Sequence, residues 1–166
     1  MDYLSSLSGT FATTKAGLTA GTTTTYTTAN TVQFCVKGKA ASKTAVTNGA
    51  TPTTDAATGS AFTAIAAGYG SVFVFGFDVN GNIKVMQGSV EALDGSTTSG
   101  ATAKFVRAPQ FPAIPDTVCP FGYATVLVGS AGSAWTFGTS NLAGPPSNVG
   151  INFVDCLTLP ERPQVA

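Results

Sequence analysis

The chain has 166 residues, 43% of them apolar and only 10% charged, with eight basic and eight acidic side chains, a formal net charge of +0 and no histidine. With a mean hydropathy of +0.25 this is not a disordered composition, and no basic field exists to attract nucleic acid or to hold an anionic membrane. Without histidine, Ser-His and Cys-His nucleophilic catalysis is excluded, and the usual group titrating near neutrality is missing.

In chain order, Met1-Asp2-Tyr3-Leu4-Ser5-Ser6-Leu7 has neither a basic n-region nor an apolar h-region, so no signal peptide is expected and synthesis in the cytoplasm is. Residues 22–28 are β-branched on both faces, and residues 32–37 alternate apolar and polar except at Cys35, which predicts strands. Residues 43–47 are expected to form the returning strand. Residues 55–67 are the best helical candidate because of their alanines, although Gly59 makes any helix short. The strongest element spans residues 71–90. Two β-rich runs flank Asn80-Gly81, the residues favoured in a two-residue type I′ loop. That loop would set Phe77 opposite Lys84 and Phe75 opposite Met86. One face would then carry Phe73, Phe75, Phe77 and Met86, and the other Val72, Val74, Ile83 and Val85. Two apolar faces need two covers: a packed sheet supplies one, and a further sheet layer or a neighbouring subunit is expected to supply the other. Beyond a loop at 94–100, Pro109, Pro112 and Pro115 recur at every third position, which matches polyproline II. Short strands are predicted at 123–128, 135–137 and 149–154.

Many short strands between turn signals predict an all-β fold, an antiparallel β-sandwich or small barrel, jelly-roll-like among the options. Residues 1–66 read as a Thr/Ala-rich arm or edge strands and 67–166 as the sandwich body, with one domain over 1–166 as the alternative. Residues 78–82 superficially resemble a calcium loop, but glycine stands at the fourth position and Ser89 at the twelfth, so a hairpin turn is the better reading. Glu91, Asp94, Asp116 and Asp155 form no evident catalytic pair. Cys35, Cys119 and Cys156 are odd in number and far apart, which suits buried free thiols better than a disulfide or metal pattern. No catalytic, cofactor or metal site is expected, and the chain is not expected to be an enzyme. Candidate core or interface anchors are Phe73, Phe75, Phe77, Met86, Phe111, Ile114, Phe121 and Trp135, with 109–115 as a rigid strap. Trp135, Tyr123, Tyr69 and Tyr26 could instead form a sugar-binding platform. A nearly uncharged surface keeps a free monomer poorly soluble, which points to a surface covered by partners.

Two stretches carry a resemblance. One is TTTTYTTANTVQFCVKGKAASKTAVTNGATPTTDAAT (22–58). The other is the block 73–163, with VFGFDVNGNIKVMQG, APQFPAIPDTVCPFGY and the ending DCLTLPERP. Their order resembles small virion structural proteins of tailed bacteriophages, of the capsid decoration (cement) or head-fibre kind. The resemblance implies a non-enzymatic protein in the virion that decorates and stabilises the capsid shell. Its implied partners are the major capsid protein and further copies of itself, a trimer among the options, with no nucleic acid and no membrane. The alternatives are a carbohydrate- or receptor-binding module of a fibre or tail, and a tail-tube or connector subunit.

Overall fold

A computed structural model describes residues 9–95 and 99–165 of the chain. The strands are β1 (Phe11–Ala12), β2 (Leu18–Ala20), β3 (Tyr26–Thr28), β4 (Val32–Val36), β5 (Lys39–Lys43), β6 (Val46–Gly49), β7 (Tyr69–Asp78), β8 (Ile83–Gln87), β9 (Glu91–Ala92), β10 (Val118–Val128) and β11 (Val149–Asp155). Every pairing among them is antiparallel. The largest sheet has the order β11-β10-β7-β8, with β9 on β7 as well. Two three-stranded sheets, β1-β4-β5 and β2-β3-β6, are built from residues 11–49, within the 1–66 region expected as an arm or as edge strands. The fold is all-β, with antiparallel sheets packed together.

Several local expectations change. Residues 55–67 contain no helix. The Asp55 carboxylate accepts the Ala57 N–H at 2.8 Å, and the Asp55 N–H donates to the Ser60 carbonyl at 2.8 Å. Such local bonds compete with the helical pattern, and Gly59 takes φ +75°, outside the helical region. The strand returning beside β4 is β5, earlier than the predicted 43–47, because Lys37 and Gly38 both adopt positive φ (49° and 76°). That is the two-residue I′ geometry. Residues 22–25 make a turn before β3, and of 135–137 only Trp135 pairs, in a single bridge to Ile65.

The β7–β8 hairpin shows the most consequential difference. Phe73 faces Gln87, Phe75 faces Val85 and Phe77 faces Ile83, one residue away from the predicted register. The loop has three residues, not two. The Asp78 N–H donates to the Asn82 carbonyl at 3.0 Å, the Gly81 N–H to the Asp78 carbonyl at 2.9 Å, and only Gly81 has positive φ (+76°). This is a turn closed by a glycine bulge. A one-residue slip exchanges the faces of a strand. Val85 therefore joins the phenylalanines, whereas Met86 lies with Val72 and Val74 on the other side.

The aromatic face of the large sheet packs on the two small sheets. Phe34 meets Phe77 at 5.7 Å between ring centroids, and Tyr26 meets Phe75 at 6.4 Å. In β10 the register shifts between Pro120 and Gly122, so Phe121 is an extra residue. It reaches the same face and stacks on Phe77 at 4.4 Å. A bulge is one of the few places where a strand tolerates proline.

The opposite face carries Val72, Val74, Met86, Val118 and Tyr123, and here the expectation of a further sheet or a neighbouring subunit is corrected. The chain covers this face itself, with Phe111 and Ile114 from the 109–115 strap and Leu159 from the tail. Phe111 meets the Tyr123 ring edge-on at 5.1 Å, and the Gln164 N–H donates to the Tyr123 hydroxyl at 2.8 Å. Gly88 lets the strap cross, because a Cβ there would overlap the Gln110 carbonyl oxygen. Beside it, the Ser89 N–H donates to that carbonyl at 3.1 Å, and the Gln110 N–H donates to Ser89 Oγ at 2.9 Å.

Candidate interaction surfaces

The anchors expected from sequence lie inside the molecule. Phe73, Phe75, Phe77, Met86, Phe121 and Trp135 are fully buried, and Phe111 and Ile114, on the strap itself, are half-buried against the second face. Trp135 packs edge-on against Phe73 at 5.7 Å, and its Nε1–H donates to the Asn141 carbonyl at 3.1 Å. Buried indoles need such a partner. Tyr26 and Tyr123 are buried too, and only Tyr69, 44% exposed, reaches the surface. The four residues of the imagined sugar platform therefore share no exposed face.

The carboxylates hold backbone and close turns. Asp78 Oδ1 accepts the N–H groups of Asn80 and Asn82, both at 2.9 Å, and Oδ2 accepts Asn82 Nδ2 at 2.9 Å. Partial burial opposes its ionisation, but the bonds from Asn82 and Asn80 and the charge of Lys84 outweigh that and hold the carboxyl below its usual range. Asp155 Oδ1 accepts the Leu18 N–H at 3.0 Å, tying β11 to β2, and Glu91 accepts from Ser89 Oγ at 2.8 Å. Asp116 pairs with Lys37 at 2.7 Å in an exposed contact, of the class that contributes little. Among the described residues no group of three or more Cys, Asp or Glu side chains is placed to hold a metal ion. All three cysteines are free: Cys119 and Cys156 are buried and Cys35 is half-buried. Burial pushes the Cys119 thiol up to about 12 and the Cys156 thiol up to about 11, which makes both poor nucleophiles at neutral pH.

What is left for partners is shape and edge. A cleft of about 520 Å³ opens on the second face beyond the strap, where Ala103, Phe105, Leu127, Ile151, Asn152 and Val165 line it. Its floor needs glycine, since a Cβ on Gly150 would stand 2.5 Å from the Gly100 carbonyl oxygen. Sequence reasoning missed this cleft, and isolated glycines were its sole signal. At the opposite end, Lys37, Lys39 and Lys84 line a second cleft with Val36 and Val79. No protein-family description matches the chain, and neither curated proteins nor solved structures show significant similarity to it.

Proposed function

We propose that this chain is a non-enzymatic structural protein of a tailed-phage virion, which decorates and stabilises the capsid shell as a homo-oligomer in contact with the major capsid protein. The observation that carries the reading is the structural use of the resembling residues. VFGFDVNGNIKVMQG forms the central hairpin, APQFPAIPDTVCPFGY the strap and the start of β10, and DCLTLPERP the end of β11 and the covering tail. These residues form a rigid, self-covered β-body. Among the described residues, Asp78 caps a turn, Asp155 ties backbone and Asp116 joins a surface ion pair, and the two buried thiols are held protonated. A cement protein needs rigidity and neutral contact surfaces, not a reactive group, and a chain of +0 formal charge with 10% charged residues meets that demand.

The glycan-binding alternative loses its platform with the burial of Trp135, Tyr26 and Tyr123. The test is reconstitution: capsids of the encoding virus, assembled without this chain, are heated or treated with chelator with and without added protein. Bound protein and a higher disruption temperature are expected. Capsids that bind none of it, or that are equally resistant without it, overturn the proposal. Imaging of the particles separates shell-surface clusters from the rings that a tail-tube subunit would form.

A further inference from the structure

The large sheet treats its two edges differently. At β8 a segment of the chain lies along the edge: the Ala56 N–H donates to the outward Val85 carbonyl at 2.9 Å, and the Gln87 side chain exchanges bonds with the Thr63 backbone at 2.8 and 3.0 Å. The outer strand β5 of a small sheet carries Lys39 and Lys43, charges of the kind that discourage edge pairing. Among the described residues, β11 has no segment bonded along its outer edge, and its one charge is Asp155 at its last position. From Val149 to Val154 it carries no charge and no proline.

The direction of its backbone groups follows from its neighbour. The Cys156 N–H donates to Phe121 and the Gly129 N–H to the Asn148 carbonyl. Even-numbered residues of β11 therefore face β10, and Val149, Ile151, Phe153 and Asp155 point their N–H and C=O groups outward. Val149 N–H is taken by the Pro146 carbonyl, and at the other end the Asp155 side chain holds Leu18. Among the described residues, the N–H and C=O groups of Ile151 and Phe153 have no partner. This open span is symmetric about Asn152, whose side chain is exposed.

We propose that β11 pairs antiparallel with β11 of a second copy, across a two-fold axis through Asn152. Ile151 of each copy then exchanges two backbone bonds with Phe153 of the other, four in all. The two Asn152 residues form the central non-hydrogen-bonded pair, with Cα atoms about 4.5 Å apart. A symmetric, uncharged span is self-complementary, as an isologous contact requires. Both 520 Å³ clefts, each lined by Asn152 and Ile151, then open on the same side of a continuous sheet. This contact goes beyond the capsid reading and does not depend on it.

The test uses the full chain. In wild-type protein, the Ile151 and Phe153 amides should exchange slowly at concentrations where sedimentation shows a dimer, and lose that protection on dilution. In a Cys35→Ser background, Asn152→Cys should form an intermolecular disulfide on the order of 100-fold faster than Asn80→Cys on the exposed hairpin turn, because pairing raises the local thiol concentration. Wild-type protein that stays monomeric with freely exchanging Ile151 and Phe153 amides overturns the proposal. So does a dimer in which these amides remain unprotected, or Asn152→Cys cross-linking no faster than Asn80→Cys.

Discussion

Asp78 shows how much one side chain fixes. Its carboxylate accepts three hydrogen bonds, and they select the loop length that sets the β7–β8 register. Asp78→Ala should cost about 2 kcal/mol, because three donors lose a charged acceptor at a site partly open to water. Chemical denaturation measures this directly. The pH dependence has a definite sign. The folded carboxyl lies below its ordinary value of 3.8, so its contribution is complete above that value and disappears as pH falls through the folded pKa. The variant should therefore lose less stability than wild type on acidification below about pH 4. Equal acid sensitivity in the two proteins would show that the Asp78 bonds do not stabilise the native hairpin.

At the scale of elements, strand identity was more legible than strand register. Alternation and β-branching marked β4, β7, β8, β10 and β11, because those patterns report burial directly. The loop at Asn80-Gly81 misled the register because Asn-Gly also suits a longer loop with one left-handed glycine. What decided it was Asp78, through bonds that no periodicity displays. The strap was visible as a proline rhythm, but its place over Val72, Val74 and Met86 depends on Gly88, 21 positions before Pro109, and on a contact that local sequence does not encode. Gly88→Val tests that placement. A side chain there would strike the Gln110 carbonyl and Val72, so the strap must lift from Phe111 to Ile114. The expected cost is about 3 kcal/mol, at the upper end for overpacking. Trypsin should then cut after the exposed Arg107 much faster than in wild type. An unchanged cleavage rate would mean that the strap does not depend on the close crossing at residue 88.

At the scale of the whole molecule, the scarcity of charge and the apolar faces of the central hairpin have different explanations. Both faces are covered within one chain, so they no longer require a partner. The neutral exterior and the open β11 edge are the surfaces that the proposed contacts would cover. Whether the two apolar layers act as one cooperative unit can be read from the thiols. Cys119 belongs to the aromatic core and Cys156 to the layer under the strap and tail, whereas Cys35 is half-buried on β4. In native protein near pH 8, a thiol reagent should modify Cys35 first and leave the other two intact. With increasing denaturant, Cys119 and Cys156 should become reactive together, since both layers share β7 and β10. The alkaline limb has its own sign. Burial raises both folded thiols above the unfolded value of 9.0, to about 12 and about 11. The unfolded chain therefore releases these protons first, so stability is full below pH 9 and falls as pH rises towards 11 and 12. Replacing both residues with alanine should flatten that alkaline loss while lowering stability at neutral pH through the cavities left behind. If Cys156 were labelled at lower denaturant than Cys119, the strap-side layer would be a separately opening unit, and the sheet would be covered by a detachable flap instead of a second core.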